Sequence, residues 1–112
     1  MDKIINFQKA IVDALNEYKS QYGDYNQDIK NEVLIDNTNQ HYQFLWTGWN
    51  GDNHIFAVIF HIDIINDKIW IQQDNSEIGF ATLLVEKGVP KQDIVLAYYP
   101  VAHRKLTEYA VA

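Results

Sequence analysis

The chain has 112 residues, of which 47% are hydrophobic and 21% charged, and these values predict one globular domain with a single core. The absence of cysteine excludes disulfides, thiol nucleophiles and cysteine-ligated zinc. Fifteen acidic residues outnumber nine basic ones, which gives a formal charge of −6 and disfavours direct binding to nucleic-acid phosphates. Neither a membrane span of ~18 apolar residues nor a signal peptide is evident, so we expect a cytoplasmic protein.

The N-terminal segment predicts a helix that begins near Lys3, with Asp2 as its capping residue. Apolar side chains recur along it at spacings of three and four, which places them on one stripe of the helix. They are Ile4, Phe7, Ile11, Leu15, Tyr18 and Tyr22. Gly23 is a natural end for this helix. A helix with a single apolar stripe is expected to pack on a sheet.

The strongest pattern in the chain is a β-hairpin over residues 54–74, with the sequence HIFAVIFHIDII, then ND, then KIWIQQD. The even positions from 56 to 64 are all apolar and predict the core face, because side chains on a strand alternate between faces. Asn66-Asp67 predicts a type I′ turn, since both residue types tolerate positive φ. This register pairs Ile64 with Ile69 and Ile62 with Ile71 on the core face, and Asp63 with Trp70, His61 with Gln72 and Ile59 with Asp74 on the other.

Two further strands are predicted before this hairpin, at residues 32–36 and 41–49, with Asn50-Gly51 as a hairpin turn. A two-residue loop would place Tyr42, Phe44 and Trp46 opposite Ile59, Ala57 and Ile55. A three-residue loop with a bulge would place them opposite Phe60, Val58 and Phe56. The second register is preferred, because it gathers the large aromatic side chains on the core face.

The C-terminal third predicts a second helix, capped at Asn75-Ser76 before Glu77 and ending at Gly88. A single turn at residues 91–93 and a strand or extended segment at residues 94–99 follow it. The predicted fold is therefore α+β, with an N-terminal helix, a four-stranded antiparallel meander, a second helix and an extended C-terminal segment. One domain over residues 1–112 is expected.

His61 and Asp63 are the most distinctive pair of polar residues, because they lie two apart on one strand face. The pair could serve as a general base or as part of a metal site, but a third metal ligand is not adjacent in the predicted register. A polar surface that faces solvent or a partner is the favoured interpretation. The surplus apolar residues on the same face, Ile55, Ala57 and Ile59, call for a cover, which is either the apolar tail or a partner.

Four stretches carry a resemblance to a known family: HYQFLWTGWNG, HIDI followed by DKIWIQ and Asp74, TLLVEKGVPKQDIVLAYYP, and Arg104 followed by LTEYAVA. In these the chain resembles the XisI family, the fdxN element excision controlling factors of cyanobacteria. Gln73 and Tyr109 depart from the family pattern, where His and Phe are usual. The resemblance implies the same fold and a non-enzymatic regulatory factor, linked to programmed site-specific DNA excision by a separate recombinase and to a companion called XisH. It implies no catalytic residue, metal or cofactor.

We therefore expect a surface that binds a XisH-like protein, in a complex that could include the site-specific recombinase or a second copy of the chain. The expected contact residues are His61, Asp63, Trp70, Gln72, Arg104 and Tyr109. Two alternatives stay open. One is direct DNA binding through the basic segment His103, Arg104 and Lys105. The other is an enzyme that uses His61 and Asp63, which would require a bound metal or a deep pocket at that pair.

Overall fold

A computed structural model describes residues 2–22 and 27–112 of the chain, apart from the side chain of Tyr22. The elements are α1 (Lys3–Tyr22), β1 (Ile29–Asp36), β2 (His41–Asn50), β3 (Asn53–Ile65), β4 (Lys68–Asp74), α2 (Phe80–Glu86), a 3-10 turn (Lys91–Asp93), β5 (Ile94–Leu96) and α3 (Val101–Arg104). The five strands form one sheet in sequence order. The predicted α+β fold and the antiparallel meander β1 to β4 are confirmed. β5 adds a fifth strand that pairs in parallel with β4.

Helix α1 begins where the sequence predicts, because the Asp2 carboxylate accepts a hydrogen bond from the Ile4 N–H at 2.9 Å. Its predicted apolar stripe is buried at Phe7, Ile11 and Leu15, and these side chains join the core formed by the sheet and α2. The predicted helix end at Gly23 lies outside the described residues. Among the described helices, none is long and apolar enough to span a membrane.

The β3–β4 hairpin has the predicted turn, since Asn66 and Asp67 have φ values of 51° and 62°. The predicted pairs from Ile64 opposite Ile69 to Ile62 opposite Ile71 are confirmed. Beyond them the register shifts, and His61 pairs with Gln73. The predicted pairs of His61 with Gln72 and of Ile59 with Asp74 are therefore wrong, because Gln72 is an extra residue that bulges out of β4.

A second bulge lies at Ile59 in β3, where the pairing shifts from Phe44 opposite Phe60 to Leu45 opposite Val58. The turn is also displaced, since Asn50 pairs with Asn53 across Gly51 and Asp52. Both predicted β2–β3 registers are wrong for this reason. The structure pairs Tyr42 with Ile62, Phe44 with Phe60 and Trp46 with Ala57.

The bulge at Ile59 exchanges the two faces of β3. After the bulge in the chain, the even positions Phe60, Ile62 and Ile64 are buried, as predicted. Before the bulge, the odd position Ala57 packs against the core and the even position Phe56 is 66% exposed. The predicted surplus of apolar residues at odd positions is thus explained by the bulge, while Phe56 becomes the uncovered side chain.

Helix α2 begins at Phe80, three residues later than the predicted start at Glu77. The Asp74 carboxylate stabilises the start of this helix, because it accepts hydrogen bonds from the Phe80 N–H at 2.7 Å and the Ser76 N–H at 2.9 Å. The predicted cap at Asn75-Ser76 is therefore wrong. The predicted end at Gly88 is confirmed, with a φ of 95° that suits the residue after a helix.

Glycine is required at position 48 in β2, because the backbone of Asp28, the residue before β1, lies very close to it. The φ of Gly48 is 149°, and a Cβ atom added there would lie 2.0 Å from the Asp28 carbonyl oxygen.

We predict that Gly48→Ala lowers the free energy of unfolding by about 3 kcal/mol or more, measured by urea denaturation. Gly51→Ala is the control. Gly51 also has positive φ, but no described atom lies within 4 Å of its added Cβ, so about 1 kcal/mol is expected. Equal losses for both variants would contradict this account.

Candidate functional site

The sheet has one face covered by α1 and α2 and a second face that these helices leave uncovered, which we call the open face. The strand register places on it Glu32, Leu34, His41, Gln43, Leu45, Thr47, Trp49, His54, Phe56, Val58, His61, Asp63 and Trp70, among others. Side-chain contacts between strands support this assignment for four of them. Thr47 donates a hydrogen bond to the Glu32 carboxylate at 2.8 Å, and the Trp49 and His54 rings lie 4.7 Å apart.

A polar cluster of four side chains lies on this face. The His41 Nδ1 atom lies 2.6 Å from Asp63 Oδ1, and the His61 Nε2 atom lies 3.0 Å from the same oxygen. The Gln43 side-chain amide lies 2.8 Å from Nδ1 of His61. If this amide donates to Nδ1, the His61 proton is on Nε2, from which it is donated to Asp63. The Asp63 side chain is only 13% exposed, so these contacts supply much of the solvation that the buried carboxylate needs.

The β2–β3 register creates this cluster, because His41 pairs directly with Asp63 and Gln43 pairs directly with His61. The alternation pattern of the sequence correctly places His61 and Asp63 on one face, but the predicted registers do not bring His41 or Gln43 to them. Both predicted registers were shifted by two or three residues at this end of the hairpin. A register aligned on the buried aromatic pair of Phe44 and Phe60 would have shown the contact.

An open cavity of about 280 Å³ adjoins the cluster and is lined by Leu34, Ile35, Asp36, His41, Gln43 and His61. Asp36 contributes a negative charge to it. The backbone N–H and the side-chain amide of Asn39 both donate to the Asp36 carboxylate, and this lowers the pKa of Asp36 below its ordinary value of 3.8. Leu34 contributes an apolar wall that is 47% exposed. The cavity therefore combines an ionised carboxylate, two imidazoles and apolar surface.

The other predicted contact residues lie further along the sheet. Trp70 pairs with Asp63 across β3 and β4, and its ring lies 5.6 Å from the Arg104 guanidinium carbon. Gln72 is exposed in the β4 bulge. Tyr109 packs against the core, with the Lys91 ammonium 6.0 Å from its ring centre. The structure thus gathers His61, Asp63 and Trp70, whereas Tyr109 lies in the C-terminal segment.

Arg104 has an internal role that the sequence did not reveal. Its guanidinium donates hydrogen bonds to the carbonyl oxygens of Tyr99 at 3.1 Å, Ala97 at 3.2 Å and Val111 at 3.4 Å. These bonds hold the C-terminal segment against the end of the sheet, where Ala110 forms a bridge to Val95 in β5. The apolar tail therefore covers β5, and it leaves Phe56 on the open face uncovered.

The sequence model of the XisI family, described as XisI protein, matches residues 1–111. The chain belongs to the XisI family. It is similar to the crystal structure of a XisI-like protein from Anabaena variabilis ATCC 29413, with 35% identity over 97% of this chain and 99% of that one and a TM-score of 0.90. It is also similar to the fdxN element excision controlling factor XisI from the same strain, with 27% identity over 99% and 100% of the two chains and a TM-score of 0.87. No curated protein matches the chain at a significant level.

The three carbonyl bonds of Arg104 predict a loss of stability when its side chain is removed. We expect Arg104→Ala to lower the free energy of unfolding by about 2 kcal/mol, because hydrogen bonds from a charged donor contribute about 1.5–3 kcal/mol. Lys105→Ala is the matched control, since Lys105 is exposed and should change stability by less than about 0.5 kcal/mol. Both values come from chemical denaturation, and equal small losses would mean that Arg104 does not hold the tail.

Proposed function

We propose that this chain is a non-enzymatic accessory factor of the cytoplasm, which helps to control programmed site-specific DNA excision through protein contacts. Its partner would be a XisH-like protein, in a complex that can include the recombinase. Membership of the XisI family supports this proposal. So does the similarity over the whole chain to a protein described as an fdxN element excision controlling factor.

The open face is the surface that we assign to the partner. Three large apolar side chains are exposed on it: Phe56 at 66%, Trp49 at 54% and Leu34 at 47%. They lie on the same sheet face as the hydrogen-bonded polar cluster around Asp63. Exposed aromatic and aliphatic anchors beside satisfied polar groups are typical of protein interfaces, in which a few buried anchors carry most of the binding energy. This uncovered apolar face is the observation that carries the proposal.

The six predicted contact residues have different positions in this proposal. His61, Asp63 and Trp70 lie on the open face, and Gln72 is exposed beside it in the β4 bulge. Arg104 and Tyr109 lie at the edge of the same sheet, where a partner that extends beyond Trp70 would meet them. A second copy of the chain could occupy the same face, because an exposed apolar surface also supports self-association.

Direct DNA binding is the less favoured alternative. The formal charge of −6 opposes it, and Arg104 does not strengthen it, because its guanidinium binds backbone carbonyls. Lys105 is exposed, but a single lysine supplies little phosphate affinity.

The proposal predicts that the chain and the XisH-like protein of the same genome co-elute as a complex after co-expression. Phe56→Ser and Leu34→Ser should each weaken that complex at least about tenfold, measured by calorimetry, because each removes an interface anchor. Neither variant should lower stability much, since both side chains are substantially exposed. Ile5→Ser is the matched control, because Ile5 is 53% exposed and lies on α1, away from the open face.

Two results would contradict the proposal. Separate elution of the two folded proteins would remove the partner, and salt-dependent binding of the excision-site DNA by this chain alone would then favour the alternative. Complex formation that is weakened by Ile5→Ser but not by Phe56→Ser or Leu34→Ser would keep the partner and remove the open face as its binding surface.

A further inference from the structure

We propose that His41, His61 and Asp63 form a binding site for one divalent transition-metal ion of the zinc type. One ring nitrogen of each histidine and one oxygen of the aspartate lie within 4.8 Å of one another. Two imidazoles and one carboxylate form a ligand set that zinc and related ions accept. Calcium and magnesium prefer oxygen ligands alone. This inference concerns the isolated chain and does not depend on the proposed partner.

The distances in the cluster are close to those that a metal requires. Ligand atoms bound to zinc at about 2.0–2.1 Å with tetrahedral angles lie about 3.3 Å apart. The His41 and His61 nitrogens lie 2.6 Å and 3.0 Å from the Asp63 oxygen, so the first distance needs to lengthen by about 0.7 Å and the second by about 0.3 Å. The His41 side chain is 56% exposed and has room to turn, whereas His61 and Asp63 are held more firmly in β3.

Asp63 gives the site its affinity for a cation. Its side chain is 13% exposed, and a carboxylate with so little water around it is stabilised by any positive group that approaches. In the metal-free chain that need is met by the facing atoms of His41 and His61. A metal ion would occupy the space between the three groups, and the single proton of each neutral imidazole would move from the ring nitrogen that faces Asp63 to the one that faces away from the metal.

Gln43 is the residue that allows the His61 proton to lie on either of the two ring nitrogens. Its amide lies 2.8 Å from Nδ1 of His61, and a side-chain amide can present either its N–H or its oxygen to that atom. With the N–H presented, His61 keeps its proton on Nε2 and donates to Asp63. With the amide turned, its oxygen accepts a hydrogen bond from a protonated Nδ1, and Nε2 is then free to bind the metal. Hydrogen-bond partners of this kind orient metal-binding histidines in many proteins.

The surroundings also favour a cation. Asp36 lines the same cavity as His41 and His61 and adds a second carboxylate to it. Three protein ligands leave at least one coordination position for water, as in zinc sites that are open to solvent. The place of the cluster on the uncovered face makes that position accessible.

The first test is a titration of the tag-free chain with Zn²⁺ alone at neutral pH, followed by calorimetry and by NMR of the histidine rings. The chain has four histidines, so His54 and His103 serve as controls within the same sample. We expect one Zn²⁺ per chain, with shifts of the His41 and His61 ring signals and unchanged signals for His54 and His103. An absence of Zn²⁺ binding, or equal shifts at all four rings, would overturn the proposal.

Variants give a second test. Asp63→Asn keeps the size of the side chain and removes its charge, and we expect Zn²⁺ affinity to fall at least about tenfold. Gln43→Leu removes the partner of His61 and should also weaken binding, by about 10–100-fold. His54→Gln is the matched control on the same sheet face and should leave the affinity unchanged. Unchanged affinity in both Asp63→Asn and Gln43→Leu would overturn the proposal, and the ring signals of the unmodified chain decide the matter if a variant fails to fold.

Discussion

The extra residue at Ile59 in β3 determines how the two faces of the sheet are used. Strand side chains alternate with a period of two, so one inserted residue exchanges core and surface positions beyond it. Here the exchange places Ala57 against the core and exposes Phe56. It also allows Tyr42 and Phe44 to face Ile62 and Phe60. The aromatic core and the uncovered apolar surface therefore have the same structural cause.

The same register produces the polar cluster. His41 reaches Asp63 because the two residues are direct partners across β2 and β3. Asp63 is nearly buried, so its charge has to be balanced by neighbours rather than by water. The two imidazoles meet this need by hydrogen bonding, and their ring nitrogens converge on one oxygen. A cluster of this kind can stabilise the sheet in one state and bind a cation in another.

The sequence predicts those features that depend on local chemistry. The cap at Asp2, the turn at Asn66-Asp67 and the helix end at Gly88 all follow from residues whose conformational preferences are strong. The bulges at Ile59 and Gln72 do not, because they depend on how whole strands pack and not on any residue at the bulge. The helix cap was missed for a similar reason: Asp74 reaches Phe80 across six positions, beyond the usual capping distance. The family, in contrast, is evident from motifs spread over the whole chain.

The candidate site is likewise predictable from the sequence only in part. His61 and Asp63 were found because they lie on one strand, within one alternation pattern. His41 and Gln43 come from another strand, so an error of two or three residues in register concealed them. Arg104 looked like a cation for a partner or for DNA, since nothing local shows that its hydrogen bonds go to Tyr99, Ala97 and Val111.

The central claim is that the open face meets the partner protein. The most direct measurement is NMR of the Leu, Ile and Val methyl groups of this chain during titration with the XisH-like protein. The account predicts shifts or broadening at Leu34 and Val58 on the open face, and an unchanged signal at Ile5, which is exposed on α1. A change at Ile5 with no effect at Leu34 and Val58 would place the interface on another surface and contradict the account.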